Sequence, residues 1–104
     1  MKKYEVYLPV KYNDGNKVEL RKIKEIRQQL MAVFRGITVS SLSAPYEGTW
    51  RYAGVEFNDS IIRIEIMATE DHDSLRFFKN FKRQLKRTLR QVDILITVQD
   101  IYRI

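Results

Sequence analysis

Residues 3–10 alternate in character, with Tyr4, Val6, Leu8 and Val10 on one side and mostly polar neighbours between them. A period of two is the signature of a strand with one buried face. The turn-forming run NDGN follows, and Asn16 is placed to cap a helix with Glu19, three residues on, as its reciprocal partner. From Lys17 to Arg35 the apolar residues Leu20, Ile23, Ile26, Leu30 and Phe34 recur at intervals of three and four, which predicts an amphipathic helix that Gly36 would stop. ITVSSLS reads as a second strand, Pro45 interrupts it, and GTWRY resumes the pairing beyond the break. A turn at Ala53-Gly54 leads into a long strand reaching Thr69, within which Asn58-Asp59 is either a bulge or the hairpin turn itself. A second helix starts near Asp71 as N-cap and runs to about Gln91, with Leu75, Phe78, Phe81, Leu85 and Leu89 as its buried stripe. DILITVQDIYRI is the last strand.

This order of elements predicts an α+β fold, the ferredoxin-like βαββαβ plait, in which right-handed crossovers put two helices on one face of an antiparallel sheet. A length of 104 residues fits a single domain spanning 1–104. The run GTWRYAGVEFNDSIIRIEIMAT, with the helix exit RQVDILI, resembles a family of small bacterial proteins of uncharacterised role. The resemblance implies the same plait and carries no catalytic residues with it. This chain departs from the pattern after Gln91, where Val92 precedes Asp93 and the family has an acid directly.

Composition narrows the chemistry. The absence of cysteine excludes disulfides, thiolate nucleophiles and Cys-ligated metals. The opening MKKYEVYLPV alternates and lacks the apolar run of a signal peptide, and no stretch approaches the roughly 18 apolar residues of a membrane span. A cytoplasmic protein without a membrane partner is expected. EDHD (70–73) groups acids around His72, but consecutive residues at a helix start point apart, so no metal site is expected. LSAPYEGTW has a single glycine and no following lysine, unlike a phosphate loop, and no cofactor is implied. Trp50, Tyr52 and Phe57 line the hairpin as core or dimer contacts.

Charge distribution is the strongest signal. The stretch RFFKNFKRQLKRTLR (76–90) holds seven of the 19 Lys and Arg residues and no acid. Residues 17–35 and 76–90 together carry 13 positive and 2 negative charges, a net of +11, while the rest carries 6 and 11, a net of −5. At about 100° per residue, Lys79, Arg83, Lys86, Arg87 and Arg90 fall on one flank of the second helix, and Lys17, Arg21, Lys24 and Arg35 on a flank of the first. Two such flanks meeting across the groove between the helices would hold a polyanion. The plain alternative is a solvated helix face whose stems cover apolar surface. The macrodipole favours Arg87 and Arg90 near the C-terminus but not Arg76 and Lys79 near the other end.

The opposite face of the sheet suggests a second site. Glu5, Tyr7, Arg63, Glu65 and Thr97 project from adjacent strands, and two carboxylates, a phenol and a guanidinium can perform acid–base work if burial raises one carboxylate pKa. The structural alternative is Arg63 bridging Glu5 and Glu65 as a cross-strand ion network. Two carboxylates beside one tyrosine make this face a poor base-stacking platform of the RNA-recognition type. The sequence therefore points first to a binding or accessory module, a homodimer through the open sheet, engaging nucleic acid or an acidic protein by its helix layer. Second comes a small-molecule enzyme or ligand binder in which two sheets pair as a dimeric α/β barrel.

Overall fold

A computed structural model of the chain describes residues 1–40, 45–69 and 73–104. Strand β1 spans Lys2–Pro9, helix α1 Leu20–Val33, β2 Ile37–Val39, β3 Tyr46–Tyr52, β4 Val55–Ala68, helix α2 Ser74–Thr88 and β5 Ile96–Asp100. All pairings are antiparallel, in the order β2-β4-β1-β5, with β3 also paired to β4. The alternation read in β1 holds: Tyr4, Val6 and Leu8 are buried opposite Ile66, Ile64 and Ile62. These six share one core with Ile23, Ile26 and Leu30 of α1 and Phe78, Phe81 and Leu85 of α2, so both helices cover the same sheet face. This is the ferredoxin-like plait.

The split second strand is confirmed by register. Val39 faces Ile64 while Tyr46 faces Ile61, so residues 40–45 outnumber by four the two β4 residues they pass. Beyond Ile61, where β1 ends at its partner Pro9, β3 and β4 continue as a two-stranded ribbon. Ala53 and Gly54 close it with φ of 51° and 80°, the mirror-image turn whose twist suits a hairpin. Asn58 and Asp59 pair in regular register with Thr49 and Gly48, so they are neither bulge nor turn.

The helix ends differ from the expectation for identifiable reasons. Asn16 does not cap α1. Its backbone and side-chain nitrogens bond to Asp14, and Val18 pairs back onto Val10 to bury itself, which delays the helix to Leu20. Leu20 is consequently half-exposed, and Glu19 occupies the N-cap position without a side-chain cap. Gly36 plays no left-handed role, because the chain leaves α1 extended at Phe34, carrying that ring into the core. Asp73 caps α2 by accepting from the Arg76 amide, and Leu75 in the first turn lies exposed, off the stripe. Asp71 and His72, like residues 41–43 of the expected second strand, lie outside the described residues, as do the side chains of Trp50, Tyr52 and Phe57.

α2 ends short of Gln91, in a Schellman motif. The Gln91 amide donates to the Lys86 carbonyl and the Arg90 amide to Arg87, with Arg90 left-handed at φ 53°. Glycine is the usual residue there, and a side chain in that region costs roughly 1–2 kcal/mol. The Arg90 guanidinium lies 4.8 Å from the centre of the Tyr12 ring, a cation–π contact that offsets part of this cost.

Candidate functional site

The two helices run antiparallel, and their seam is neutral. Gln84 Nε2 donates to Gln29 Oε1 at 2.9 Å, and Ala32, Val33, Phe77 and Asn80 line the rest of the seam. Lys22 is the cation that reaches across, donating to the Thr88 carbonyl at 3.2 Å. The expected meeting of two basic flanks across the groove therefore does not occur. Cations opposed across this seam would repel one another, and neutral groups stand there instead.

The basic residues turn the other way. Lys82 pairs with Asp93 at 3.0 Å beside β5, and Lys79 lies along the same side of α2. Going round the helix away from α1, Lys79, Arg83 and Arg87 are exposed and Lys86 is half-exposed. None of these four side chains has an ion pair or hydrogen bond among the described residues. Arg76 pairs with Asp73, and Arg90 follows beyond the helix end with its guanidinium over the Tyr12 ring. On α1, Arg21 is paired with Glu25 at 3.4 Å. Lys24 is exposed on the flank that helical geometry turns from α2. The structure thus brings together the α2 set of the anticipated anion-binding residues and leaves Arg21 and Lys24 apart from it.

On the open sheet face, β1 and β4 bring Glu5 opposite Glu65 and Tyr7 opposite Arg63, with Thr97 of β5 beside Glu5. The sequence reading missed Lys3, which has the same strand parity. Its Nζ lies 3.3 Å from Glu5 and 3.9 Å from Glu65, so Lys3 bridges the two carboxylates, while Arg63 pairs with Glu65 at 3.1 Å. The Tyr7 hydroxyl donates to Glu5, and this bond, ahead of Lys3, holds the Glu5 carboxyl below its usual range despite the opposing effect of burial. The same bond pushes the Tyr7 phenol up. Acid–base work was conditional on a raised carboxylate. The shift of Glu5 has the opposite sign, so it is ionised and already satisfied at neutral pH.

This network has a measurable consequence. Glu5→Gln with Glu65→Gln leaves Lys3 and Arg63 without counter-charges and is expected to lower stability by about 1 kcal/mol, the upper range for partly exposed pairs. Thermal melts that show the double variant more stable than the parent would reverse this assignment and restore like-charge repulsion as the dominant effect.

A second charged cluster has no counterpart in the sequence reading. The buried Tyr12 donates its hydroxyl proton to Glu19, while Lys22 donates to the Tyr12 oxygen at 2.7 Å and pairs with Glu19 at 3.5 Å. The Tyr12 bond is the main cause of a Glu19 pKa lowered to about 2. Stability contributed by Glu19 is therefore full above its ordinary value of 4.5 and is lost as pH falls from there toward 2. Melts of the chain and of Glu19→Gln should differ near neutrality and converge across that window. A gap that persists at the acid end would remove the linkage.

Among the described residues no group of three His, Asp or Glu side chains can hold a metal ion, and no helix is long and apolar enough to cross a membrane. No family model matches the sequence, and no curated protein matches it significantly. Solved structures do. A phage SAM lyase in complex with S-methyl-5′-thioadenosine superposes with a TM-score of 0.69 over 95% of this chain and 80% of that one, at 9% identity. The divalent cation tolerance protein CutA1 from Thermus thermophilus matches with a TM-score of 0.64 over 99% and 86%, at 12% identity. The periplasmic CutA of Archaeoglobus fulgidus matches with 0.63 over 99% and 86%, at 11% identity. At such identities the likeness shows the fold alone.

Proposed function

We propose that this chain is a binding module whose outward α2 face grips the phosphate backbone of a nucleic acid. The observation that carries this reading is the row Lys79, Arg83, Lys86 and Arg87, turned to solvent on a helix without a single acid and unpaired among the described residues. From Lys79 to Arg87 the row is about 12 Å long, comparable with about three to four nucleotide steps of one B-form strand. A row of cations suits a repeating anion. A protein partner would need apolar anchors at the centre of its footprint, and on α2 the large exposed apolar side chain is Leu75, at the far N-terminal end. Phosphate contacts position without reading sequence, so the expected binding is nonspecific.

The test is a fluorescence-anisotropy titration of the unaltered chain with short single- and double-stranded oligonucleotides at low and physiological salt. Binding should weaken with salt, with a log–log slope of about −0.7 to −0.9 for each phosphate neutralised. An absence of binding at about 50 mM salt, where nonspecific phosphate contacts are strong, would return α2 to the role of a solvated face.

A further inference from the structure

The segment joining α2 to β5 is pinned at both ends and between. The Gln91 amide bonds to the Lys86 carbonyl, and its side-chain Nε2 donates to the Leu89 carbonyl at 3.0 Å. Asp93 pairs with Lys82 at 3.0 Å, and the Leu95 carbonyl accepts from the Tyr7 amide at 3.1 Å. Held in this way, the segment walls a recess of about 390 Å³ at the end of the open sheet face. That volume lies at the low end of the roughly 300–1,000 Å³ typical of small-molecule sites. Tyr7, Pro9, Ile61, Ile94 and Leu95 give it a mainly apolar lining, with Thr49, Gln91 and Asp93 as its polar side chains. The two hydroxyls are already engaged: Tyr7 donates to Glu5 and Thr49 to Asn58. The side-chain atoms left without a partner are two oxygens, Gln91 Oε1 and Asp93 Oδ2. Gln91 is only 9% exposed. Among the described residues no sealed side-chain oxygen lacks a partner, so Oε1 meets solvent, and Gln91 lines the recess.

We propose that this recess binds a small primary amine carried on an apolar body. The two unpartnered oxygens select the polar end of the ligand. An ammonium group brings three donors and a positive charge, and the second oxygen of Asp93 is free to accept from it. A carboxylate or phosphate would confront both oxygens, and among the described residues no Lys or Arg lines the recess to receive it. A ligand without a donor would displace water from Gln91 Oε1 and leave a nearly buried acceptor unsatisfied, which is costly. The walls select the other end. Pro9, Ile61 and Leu95 have no side-chain polar group for a second hydrogen bond, and the half-exposed Leu95 gains cover from an apolar body. The ties along the segment exist before any ligand arrives, so binding has little ordering to pay in entropy.

Titration of the nitrogen-15-labelled chain with 2-phenylethylamine, followed by NMR, tests this. Saturable shifts are expected at the amides of residues 91–95, at Gly48 and Thr49, and at the Gln91 side-chain amide. A Kd of about 1 mM suits a fragment of this size. 3-Phenylpropionate, of similar size and opposite charge, and methylamine, the polar end alone, should each bind far more weakly. Asp93→Asn should weaken 2-phenylethylamine by about tenfold, the worth of one charge-assisted hydrogen bond. Leu95→Lys, which puts a cation beside the recess, should abolish binding. Val98→Lys adds the same charge on the helix side of β5 and should leave it unaltered. All three sites are exposed, so unchanged circular dichroism is expected to show that the fold is kept. An absence of saturable shifts, equal binding of 3-phenylpropionate or methylamine, or binding that survives both Asp93→Asn and Leu95→Lys would each overturn the proposal. So would an equal loss in Val98→Lys. The α2 row contributes none of these residues, so this site and the nucleic-acid reading fail separately.

Discussion

Changing Arg83, Lys86, Arg87 and Arg90 together to Gln is expected to weaken oligonucleotide binding by about a thousandfold at low salt. The magnitude follows from counterion release. With a slope near −0.9 per neutralised phosphate, each phosphate that the protein no longer neutralises at about 50 mM salt costs about one decade in affinity, and four substituted cations free about three or four phosphates. The slope itself should become shallower by a corresponding amount. Glutamine retains helix propensity, so melting should move little. The decrease should be uniform across oligonucleotide sequences, since phosphate contacts carry no base information. Lys11, Lys17 and Arg51, which lie off α2, serve as the control set; changed to Gln, they should weaken binding far less. Equal weakening in both sets would show that net charge alone is responsible, and the row on α2 would have no special standing.

Phe78→Ala is the substitution expected to damage the fold most. Phe78 stacks on Tyr4 of β1 with ring centres 4.0 Å apart, lies 5.4 Å from Phe34 at the end of α1, and meets Phe77 and Phe81 edge-on. One ring thereby joins the central strand to both helices. Tyr4 is held there by a hydroxyl bond to Ser74 at 2.7 Å in the first turn of α2, so the contact is doubly tied. Truncating a buried Phe to Ala costs about 3–5 kcal/mol, including the cavity left behind. For a domain of this size that lowers the melting temperature by roughly 15–30 °C. Phe78→Leu, which keeps most of the volume, should lose much less. A melting temperature within a few degrees of the parent for Phe78→Ala would mean that α2 is not locked to the sheet through this ring.

Much of the fold was legible because it follows from local periodicity. The alternation in β1, the spacing of Ile23, Ile26 and Leu30, and that of Phe78, Phe81 and Leu85 each name a buried face, and burial made those readings hold. The Pro45 interruption and the Ala53-Gly54 turn were equally local, since backbone chemistry at one or two residues is enough to specify them. Failures came where a local preference met a tertiary demand. Asn16 is a good cap by type, but Val18 needed the core and carried the chain past the capping position. Gly36 suits a helix stop, but burying Phe34 required an extended exit.

The candidate sites divide along the same line. That α2 is basic and acid-free, and that Glu5, Tyr7, Arg63 and Glu65 share a strand face, follows from the sequence by itself, because helix and strand periods fix which side chains lie on a common side. What those faces confront was decided by tertiary structure. Neutral groups face one another across the helix seam, and the two cationic flanks are turned apart. Lys3 arrived between two carboxylates through strand pairing, converting an apparent acid–base group into a balanced ion network. The Tyr12, Glu19 and Lys22 cluster joins a loop to the start of α1 within ten residues, and Lys22 carries it on to the Thr88 carbonyl, 66 residues away. Helical spacing accounts for Glu19 beside Lys22, but no period reaches Tyr12 or Thr88; the return of the loop and the packing of α1 beside α2 bring these within bonding distance.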